Sequence, residues 1–153
     1  MEEDRIQKAV ELFKSGYNCS QSVVAAFADM YGFTQEQALR MAASFGGGIG
    51  RMRETCGAAC GLFLVASLKT GATEAADREG KAANYAVVQE LAAEFKKRNG
   101  SLICAELLGL KKKEPVSTIP EERTAQYYSK RPCAKMVEEA ARIWVEYLEK
   151  HPK

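Results

Sequence analysis

Five cysteines are the residues of this chain with the clearest capacity for chemistry. One of them, Cys56, lies in Gly46–Gly61, a stretch that reads GGGIGRMRETCGAACG and is followed by an apolar segment without glycine. We therefore interpret Thr55 as an N-cap and Cys56 as the first residue of a buried helix. A thiol there would face unpaired backbone N–H groups, the positive end of the helix dipole and two upstream arginines, Arg51 and Arg53, all of which stabilise a thiolate. Because the thiolate is the form that reacts and binds metals, we expect chemistry at this sulfur.

Signals for helix starts accompany three further cysteines. A helix start offers unpaired N–H donors and a partial positive charge worth about 0.3–1 kcal/mol to an anion. Buried structural cysteines have no reason to prefer such positions, so the coincidence favours a functional interpretation over packing alone. The fifth cysteine, Cys60, lies one turn beyond Cys56, and we interpret it as a small core residue, with a resolving thiol or an auxiliary ligand as alternatives. The three cysteines and the residues that mark their helix starts are Cys19 after Asn18, Cys104 after Ser101 and Cys133 after Pro132.

Helical periodicity accounts for most of the chain and predicts the elements that position these cysteines. No segment alternates convincingly between apolar and polar residues, as a half-buried strand would. We therefore predict an all-α fold in which residues 1–153 form a single-domain bundle of about six or seven helices. The predicted helices cover residues 4–14, 19–31, 35–45, 56–70, 74–98 and 102–108, and a last helix opens at 129–133 and ends near 150, with a helical turn between 120 and 128.

Two glycines, Gly57 and Gly61, lie one turn apart on the predicted Cys56 helix. Each costs about 1 kcal/mol relative to alanine in a helix interior, so we expect something to approach that face closely. A neighbouring helix backbone is the structural interpretation, and a cofactor or substrate near the thiol is the functional one. The glycine-rich loop before them lacks a P-loop lysine and a preceding strand, so we expect a tight turn between helices rather than a phosphate cradle.

Composition restricts the expected partners and compartment. The 153 residues are 46% apolar and 27% charged with a net charge of +2, as in an ordinary globular domain. This balanced charge gives no reason to propose a nucleic acid or a membrane surface as a partner, and we interpret the basic run at 111–113 as a solvated loop. The N-terminus lacks the order of a secretion signal and no apolar run could span a bilayer. We therefore expect a cytoplasmic protein, in which cysteines serve redox or metal chemistry more often than structural disulfides.

The spacing of these motifs resembles the C_GCAxxG_C_C family of redox-active proteins. The segments that carry the resemblance are NCSQS around Cys19, the GGGIGR loop, CGAACG from Cys56, and the single cysteines Cys104 and Cys133. The family label writes its central motif GCAxxG, whereas this chain reads CGAxxG. The resemblance implies a small helical protein with four characteristic cysteines, which here are Cys19, Cys56, Cys104 and Cys133. Some relatives are selenoproteins, which implies thiol redox chemistry, while a related cytochrome domain is thought to hold an iron–sulfur centre.

The first functional hypothesis is thiol redox chemistry. Cys56 would be a thiolate with a low pKa that attacks a disulfide or another electrophile, and Arg51 would support it electrostatically. Cys19, Cys104 or Cys133 would resolve the intermediate as a disulfide, and the sequence leaves open which of them pairs with Cys56. The other participant would be a redox partner or a small-molecule substrate, neither of which the sequence identifies.

Two further hypotheses stay open at this stage. In one, Cys19, Cys56, Cys104 and Cys133 are the ligands of an iron–sulfur cluster or another metal centre, since four thiolates match the donor set of such clusters. Their scattered spacing is less consistent with zinc, whose four-cysteine sites use close pairs. In the other, the cysteines only pack inside a helical binding module.

Overall fold

The computed structural model describes residues 2–110 and 117–152, and over these residues the protein is α-helical. Eight α-helices are present in the described part of the chain, and the only extended pairing there is an isolated bridge between Thr55 and Ile103. The prediction of an all-α fold is therefore confirmed, while the loop predicted at 111–113 lies outside the described residues. The helices are α1 Glu2–Lys14, α2 Cys19–Phe27, α3 Gln35–Ala42, α4 Gly57–Thr70, α5 Arg78–Asn99, α6 Cys104–Leu107, α7 Ala125–Lys130 and α8 Cys133–Lys150, with 3₁₀ turns at Ala28–Tyr31 and Ala43–Phe45.

The centre of the bundle is the contact between α2 and α4. A Cβ atom added to Gly61 would lie 2.9 Å from the Cβ of Val23 and 3.0 Å from the carbonyl oxygen of Ser20, both on α2. A Cβ on Gly57 would lie 2.9 Å from the carbonyl oxygen of Phe45 and 3.3 Å from the Cβ of Cys19. The neighbouring backbone, rather than a ligand, is therefore what requires both glycines, and it brings the starts of α2 and α4 close together.

Helices α1 and α8 pack against α2. This packing fixes where the start of α8 lies relative to the start of α2. The amphipathic α8 buries Val137 and Trp144, and α1 buries Ile6 and Phe13 against the same core. Removing a buried aromatic of this size costs about 3–5 kcal/mol, so the packing holds the two helices firmly. Cys133, the first residue of α8, is thereby placed beside the start of α2.

Local capping fixes where α2 begins. The side chain of Asn18 accepts a hydrogen bond from the backbone N–H of Gln21, and the Gln21 side chain accepts one from the Asn18 N–H, which completes a capping box. Such a cap contributes about 1 kcal/mol and determines that Cys19 is the first helical residue. The predicted start of α2 at Cys19 agrees with this arrangement.

Other predicted boundaries were wrong by a few residues. Helix α4 begins at Gly57, so Cys56 is its N-cap residue, and Thr55 pairs with Ile103 instead of capping the helix. The long helix begins at Arg78 because the side chain of Asp77, rather than that of Thr73, accepts the backbone N–H of Gly80 in the first turn.

The start of α6 also differs from the prediction. It begins at Cys104, since the Ser101 hydroxyl accepts the N–H of Ile103 and holds the preceding residues in a turn.

Among the described residues, none of the helices combines the length and apolarity that crossing a membrane requires.

Candidate functional site

The starts of four helices meet at one cavity of about 310 Å³. A cysteine from each start lines it: Cys19 from α2, Cys56 from the N-cap of α4, Cys104 from α6 and Cys133 from α8. The structure thus brings together all four cysteines that the sequence singles out, although their chemical roles stay predictions. Cys60 is not part of the lining; its thiol points back to the Thr55 carbonyl oxygen at 3.8 Å, as a small core residue would.

The glycine-rich loop fills the space between these helix starts. A Cβ on Gly46 would lie 2.4 Å from the side chain of Asn18, and a Cβ on Gly48 would lie 2.6 Å from the Cβ of Cys104. Only residues without a side chain allow the loop to pass this close to both helices. The loop is therefore a tight connection between helices, as predicted, and it also forms one wall of the cavity.

Two backbone hydrogen bonds join the α4 start to the α6 start. The Cys56 N–H donates to the Leu102 carbonyl oxygen at 2.7 Å, and the Cys104 N–H donates to the Glu54 carbonyl oxygen at 2.6 Å. These bonds flank the isolated bridge and hold Cys56 and Cys104 on neighbouring backbone segments. The position of Cys104 in the cavity thus depends on a pairing between residues that are distant in sequence.

Three residues of the loop other than glycine have a left-handed backbone conformation. They are Ile49, Arg51 and Arg53, with φ angles of 65°, 62° and 63°. Such conformations cost about 1–3 kcal/mol each, and for a β-branched residue they are uncommon. Both arginines of this strained segment, Arg51 and Arg53, line the cavity.

Cys133 is the cysteine whose surroundings stabilise a thiolate. A hydrogen bond from the Cys19 thiol lowers the pKa of Cys133 to about 7, assisted by the positive charges of Arg131, Arg53 and Arg123 and opposed by burial. The same hydrogen bond raises the pKa of Cys19 well above its ordinary value, because Cys19 is the donor. Cys133 is also the most exposed of the five cysteines, since it is half-buried and the other four are buried. It is therefore both the most acidic and the most accessible thiol of the cavity.

Cys56, by contrast, does not have the low pKa that its sequence position predicted. Burial raises the pKa of the Cys56 thiol to about 12, and the backbone N–H groups of Ala58 and Ala59 oppose this increase without overcoming it. Desolvation penalises the thiolate more than a helix N-terminus favours it. Burial also raises the pKa of Cys104, against the opposing effect of Arg53, and it raises the pKa of Cys60 to about 11.

The arginine nearest to a cavity sulfur is Arg53, whereas the sequence-based expectation named Arg51. The Arg53 Nη1 atom lies 3.7 Å from the Cys104 sulfur. Arg51 instead donates to the Ser117 carbonyl oxygen at 2.8 Å and pairs with Glu121 at 3.7 Å. Arg51 thus binds Ser117 and Glu121, the latter part of the cavity lining, and no hydrogen bond joins Arg51 to a thiol among the described residues.

Sequence reasoning missed two further arginines. Arg131 lies two residues before Cys133, and this spacing in the sequence could have indicated a positive charge near that thiol. Arg123 donates to the carbonyl oxygens of Phe13 at 2.7 Å and Tyr17 at 2.9 Å, which lie more than 100 residues away in sequence. No local pattern indicates that contact.

Whether the cavity could hold a metal ion depends on where its donor side chains lie. Within residues 2–110 and 117–152, no three histidine, cysteine, aspartate or glutamate side chains are arranged so that they could share one ion. Two of the four cavity cysteines, Cys19 and Cys133, interact strongly enough to raise the pKa of Cys19 and lower that of Cys133. The four cysteines share one cavity, but among the described residues no three of them meet that condition in this arrangement.

The fold and the cavity define a small helical protein whose cysteines converge at helix starts. The sequence pattern of the family described as "Putative redox-active protein (C_GCAxxG_C_C)" matches residues 17–147, which include all four cavity cysteines. The chain therefore belongs to the C_GCAxxG_C_C family of redox-active proteins. Comparison with curated proteins and with solved structures gives no match.

Proposed function

We propose that Cys133 and Cys19 form a thiol–disulfide redox centre in which Cys133 is the nucleophile and Cys19 resolves the intermediate. The placement of the two thiols in one cavity carries this proposal, since both line it at the starts of α2 and α8 and their interaction lowers the pKa of Cys133 and raises that of Cys19. A pKa of about 7 leaves roughly half of Cys133 as thiolate near neutral pH, which is close to the optimum for an attacking thiol. Membership of a redox-active family supports the same class of chemistry.

The reaction would proceed in two exchanges. The Cys133 thiolate attacks one sulfur of a substrate disulfide, forms a mixed disulfide and releases a thiolate, which takes a proton from solvent. The Cys19 sulfur then attacks the Cys133 sulfur of the mixed disulfide, and the Cys19 proton goes to the second departing thiolate. The substrate gains two electrons and two protons, and the protein loses two electrons as the Cys19–Cys133 disulfide forms. An external thiol reduces that disulfide and returns the protein to its starting state.

The raised pKa of Cys19 suits its role as the resolving thiol. Its proton is held chiefly because it is donated to the Cys133 sulfur. Once Cys133 has formed a mixed disulfide it carries no negative charge, so this cause of the raised pKa disappears. Cys19 is thus protonated while Cys133 attacks and becomes more acidic when its own attack is required.

Cys56 and Cys104 have a different part in this account. Burial keeps both protonated near neutral pH, so they are poor nucleophiles in the reduced protein. They line the cavity next to the reactive pair and shape the space in which a substrate binds.

Peptide mapping after oxidation tests the proposal. The reduced protein is treated with excess bis(hydroxyethyl) disulfide, quenched with acid, alkylated and digested for mass spectrometry. We expect a cross-linked peptide that joins Cys19 to Cys133, and we expect Cys133→Ser to abolish it while Cys60→Ser leaves it unchanged. An oxidised protein with Cys56 joined to Cys104, or with no cross-link at all, would refute the assignment.

An iron–sulfur cluster is the second candidate, because four cysteines and several arginines surround one cavity. It would require the sulfurs to move from their present positions and converge on the cluster, since no three of the described ligand side chains are grouped for one ion. Protein purified without oxygen separates the two candidates. Colourless protein free of iron, with a reactive Cys133, supports the thiol centre, whereas a brown chromophore with stoichiometric iron that is lost in both Cys56→Ser and Cys133→Ser supports the cluster.

A further inference from the structure

The charged side chains of the cavity are unbalanced, and this imbalance points to the class of substrate. Four arginines and one glutamate are the charged residues of its described lining, which gives a net charge of +3. A Cys133 thiolate reduces this charge by one and leaves the cavity clearly positive. The lining charges are those of Arg51, Arg53, Arg123, Arg131 and Glu121.

Three of the four arginines are occupied by the protein itself. Arg123 donates to two carbonyl oxygens of the α1 end and stacks over the ring of Phe13 at 4.3 Å. Arg51 and Arg131 share the carboxylate of Glu121. This shared carboxylate demonstrates that the rim of the cavity accepts a carboxylate group between guanidinium groups.

Arg53 differs from the other three. Within the described residues its hydrogen-bond partner is the Cys104 sulfur at 3.7 Å, which is a weak acceptor. A guanidinium group has five N–H donors in a planar fork that matches a carboxylate, so most of its binding capacity is unused by this contact. Its left-handed backbone, with φ of 63°, holds the residue at the wall of the cavity at a cost in conformational energy.

The size of the cavity limits what can enter. Its volume of about 310 Å³ is at the lower end of the range of roughly 300–1,000 Å³ for small-molecule sites. The lining is also largely apolar, with Leu107, Leu108, Met136 and Pro132 among its members. A small molecule with an apolar linkage and an anionic end fits such a site better than a segment of folded protein.

We propose that the substrate of the Cys19–Cys133 pair is a small organic disulfide that carries carboxylate groups, and that Arg53 binds one of them. The proposal rests on the thiol redox function proposed above and names the substrate class of the same site. Arg53 would hold the carboxylate while the disulfide sulfur lies against Cys133, and the exchange then follows the two steps already described. Arg53 is thus a substrate-binding residue as well as a source of positive charge for the thiolate.

Three disulfides of similar size and different charge test this proposal. They are dithiodipropionate with two carboxylates, bis(hydroxyethyl) disulfide without charge, and cystamine with two ammonium groups. For each disulfide, the rate at which it oxidises the reduced protein is divided by the rate at which it reacts with a free small thiol. This normalised rate no longer depends on the intrinsic reactivity of the disulfide. We expect the normalised rate for dithiodipropionate to exceed that for the neutral disulfide by about 10-fold or more at low salt, with cystamine slowest, because a positive cleft raises the association rate of an anion.

Arg53→Gln provides the decisive variant. It raises the pKa of Cys133 and slows all three reactions, but the ratio of the anionic to the neutral rate is independent of the thiolate fraction. We expect this ratio to fall by about 3-fold or more, since the charge-assisted hydrogen bonds to the carboxylate are lost. Arg40→Gln, which changes an exposed arginine paired with Glu36, serves as the control and should leave the ratio unchanged.

The outcomes separate this proposal from the function on which it rests. Oxidation of the Cys19–Cys133 pair with equal normalised rates, or with cystamine fastest, would overturn the substrate class and leave the redox centre intact. A strong anionic preference that Arg53→Gln does not reduce would overturn the role of Arg53. Failure of all three disulfides to oxidise the pair would overturn both proposals together.

Discussion

Cys133 and Cys56 occupy almost equivalent positions at helix starts and yet differ strongly in acidity. Cys133 is the first residue of α8 and Cys56 is the N-cap residue of α4. The pKa of Cys133 is about 7, and that of Cys56 is about 12. Cys133 accepts a hydrogen bond from Cys19 and faces arginines, whereas Cys56 is buried where α4 meets α2. The helix N-terminus alone therefore does not make a thiol acidic; a second donor and partial access to solvent decide which thiol has the lower pKa.

The comparison also explains why one cavity can contain thiols with lowered and raised pKa values together. Each cysteine that loses its proton adds a negative charge, which raises the pKa of its neighbours. The hydrogen bond concentrates the charge on Cys133 and keeps Cys19 protonated. The cavity is thus organised around a single thiolate rather than four.

The largest effect is expected from removing the sulfur of Cys133. Cys133→Ser should reduce the rate of exchange with a small disulfide by about 100-fold or more at pH 7, because a serine hydroxyl is not ionised there. Cys56→Ser should retain most of the rate, since its thiol is protonated in the reduced protein. Stopped-flow measurement of thiol loss compares the two variants, and an equal loss in both would contradict the contrast between the two helix starts.

The next largest effect is expected from removing the donor thiol. Cys19→Ala deletes the hydrogen bond to the Cys133 sulfur, and a bond to a charged group is worth about 1.5–3 kcal/mol. We expect the midpoint of Cys133 alkylation to rise by about one pH unit and its rate at pH 7 to fall by about 5-fold, in proportion to the thiolate fraction. Cys19→Ser keeps a donor and should shift the midpoint less. An unchanged midpoint in Cys19→Ala would show that the arginines alone lower the pKa.

The pH dependence of stability provides a third test under reducing conditions. Between pH 7 and 9.0 the unfolded Cys133 thiol keeps a proton that the folded form has lost, so stability rises with pH in this interval. The contribution is present above the unfolded pKa and is lost as the pH falls through about 7. Urea unfolding should show the wild type gaining on the order of 1 kcal/mol over Cys133→Ser across this interval.

Above pH 9.0 the sign should reverse. Cys56 and Cys60 have raised pKa values, so the folded protein retains protons that the unfolded chain releases, and stability falls as the pH increases.

The result that would contradict the lowered pKa of Cys133 lies in the lower interval. It is a difference in stability between wild type and Cys133→Ser that stays constant from pH 7 to 9.0.

The smallest effect is expected from single arginines. Arg131→Gln should raise the alkylation midpoint of Cys133 by about 0.3–0.5 pH units, because other arginines remain nearby and the charge is partly screened by solvent. The shift should shrink at high salt, as expected for a charge interaction. Arg40→Gln is the control, and a shift as large as that of Cys19→Ala would mean that charge, and not the hydrogen bond, is the dominant cause.

Helix starts were predictable from the sequence because caps are local. The Asn18 and Gln21 side chains are three residues apart, and their spacing alone indicates where α2 begins. The same reasoning placed four cysteines at or beside helix starts, which the structure confirms. It failed at Thr73, since Asp77 competes successfully as the cap of the long helix.

The choice of the acidic thiol could not be predicted in the same way. The pKa of Cys56 depends on how deeply α4 packs against α2, and the pKa of Cys133 depends on a contact with Cys19 that the packing of α8 on the bundle creates. Both are long-range effects that no local motif contains. The electrostatic role of Arg123 likewise depends on contacts across most of the chain.

The most direct test of this account is the pH dependence of alkylation at each cysteine. Reduced protein is treated briefly with iodoacetamide over a pH series, and peptide mass spectrometry measures modification of Cys133 and Cys56 separately. We predict that Cys133 is modified first, with a midpoint of about 7, and that Cys56 stays unmodified until strongly alkaline pH. Modification of Cys56 before Cys133, or a Cys133 midpoint near the ordinary value of 9.0, would contradict the account.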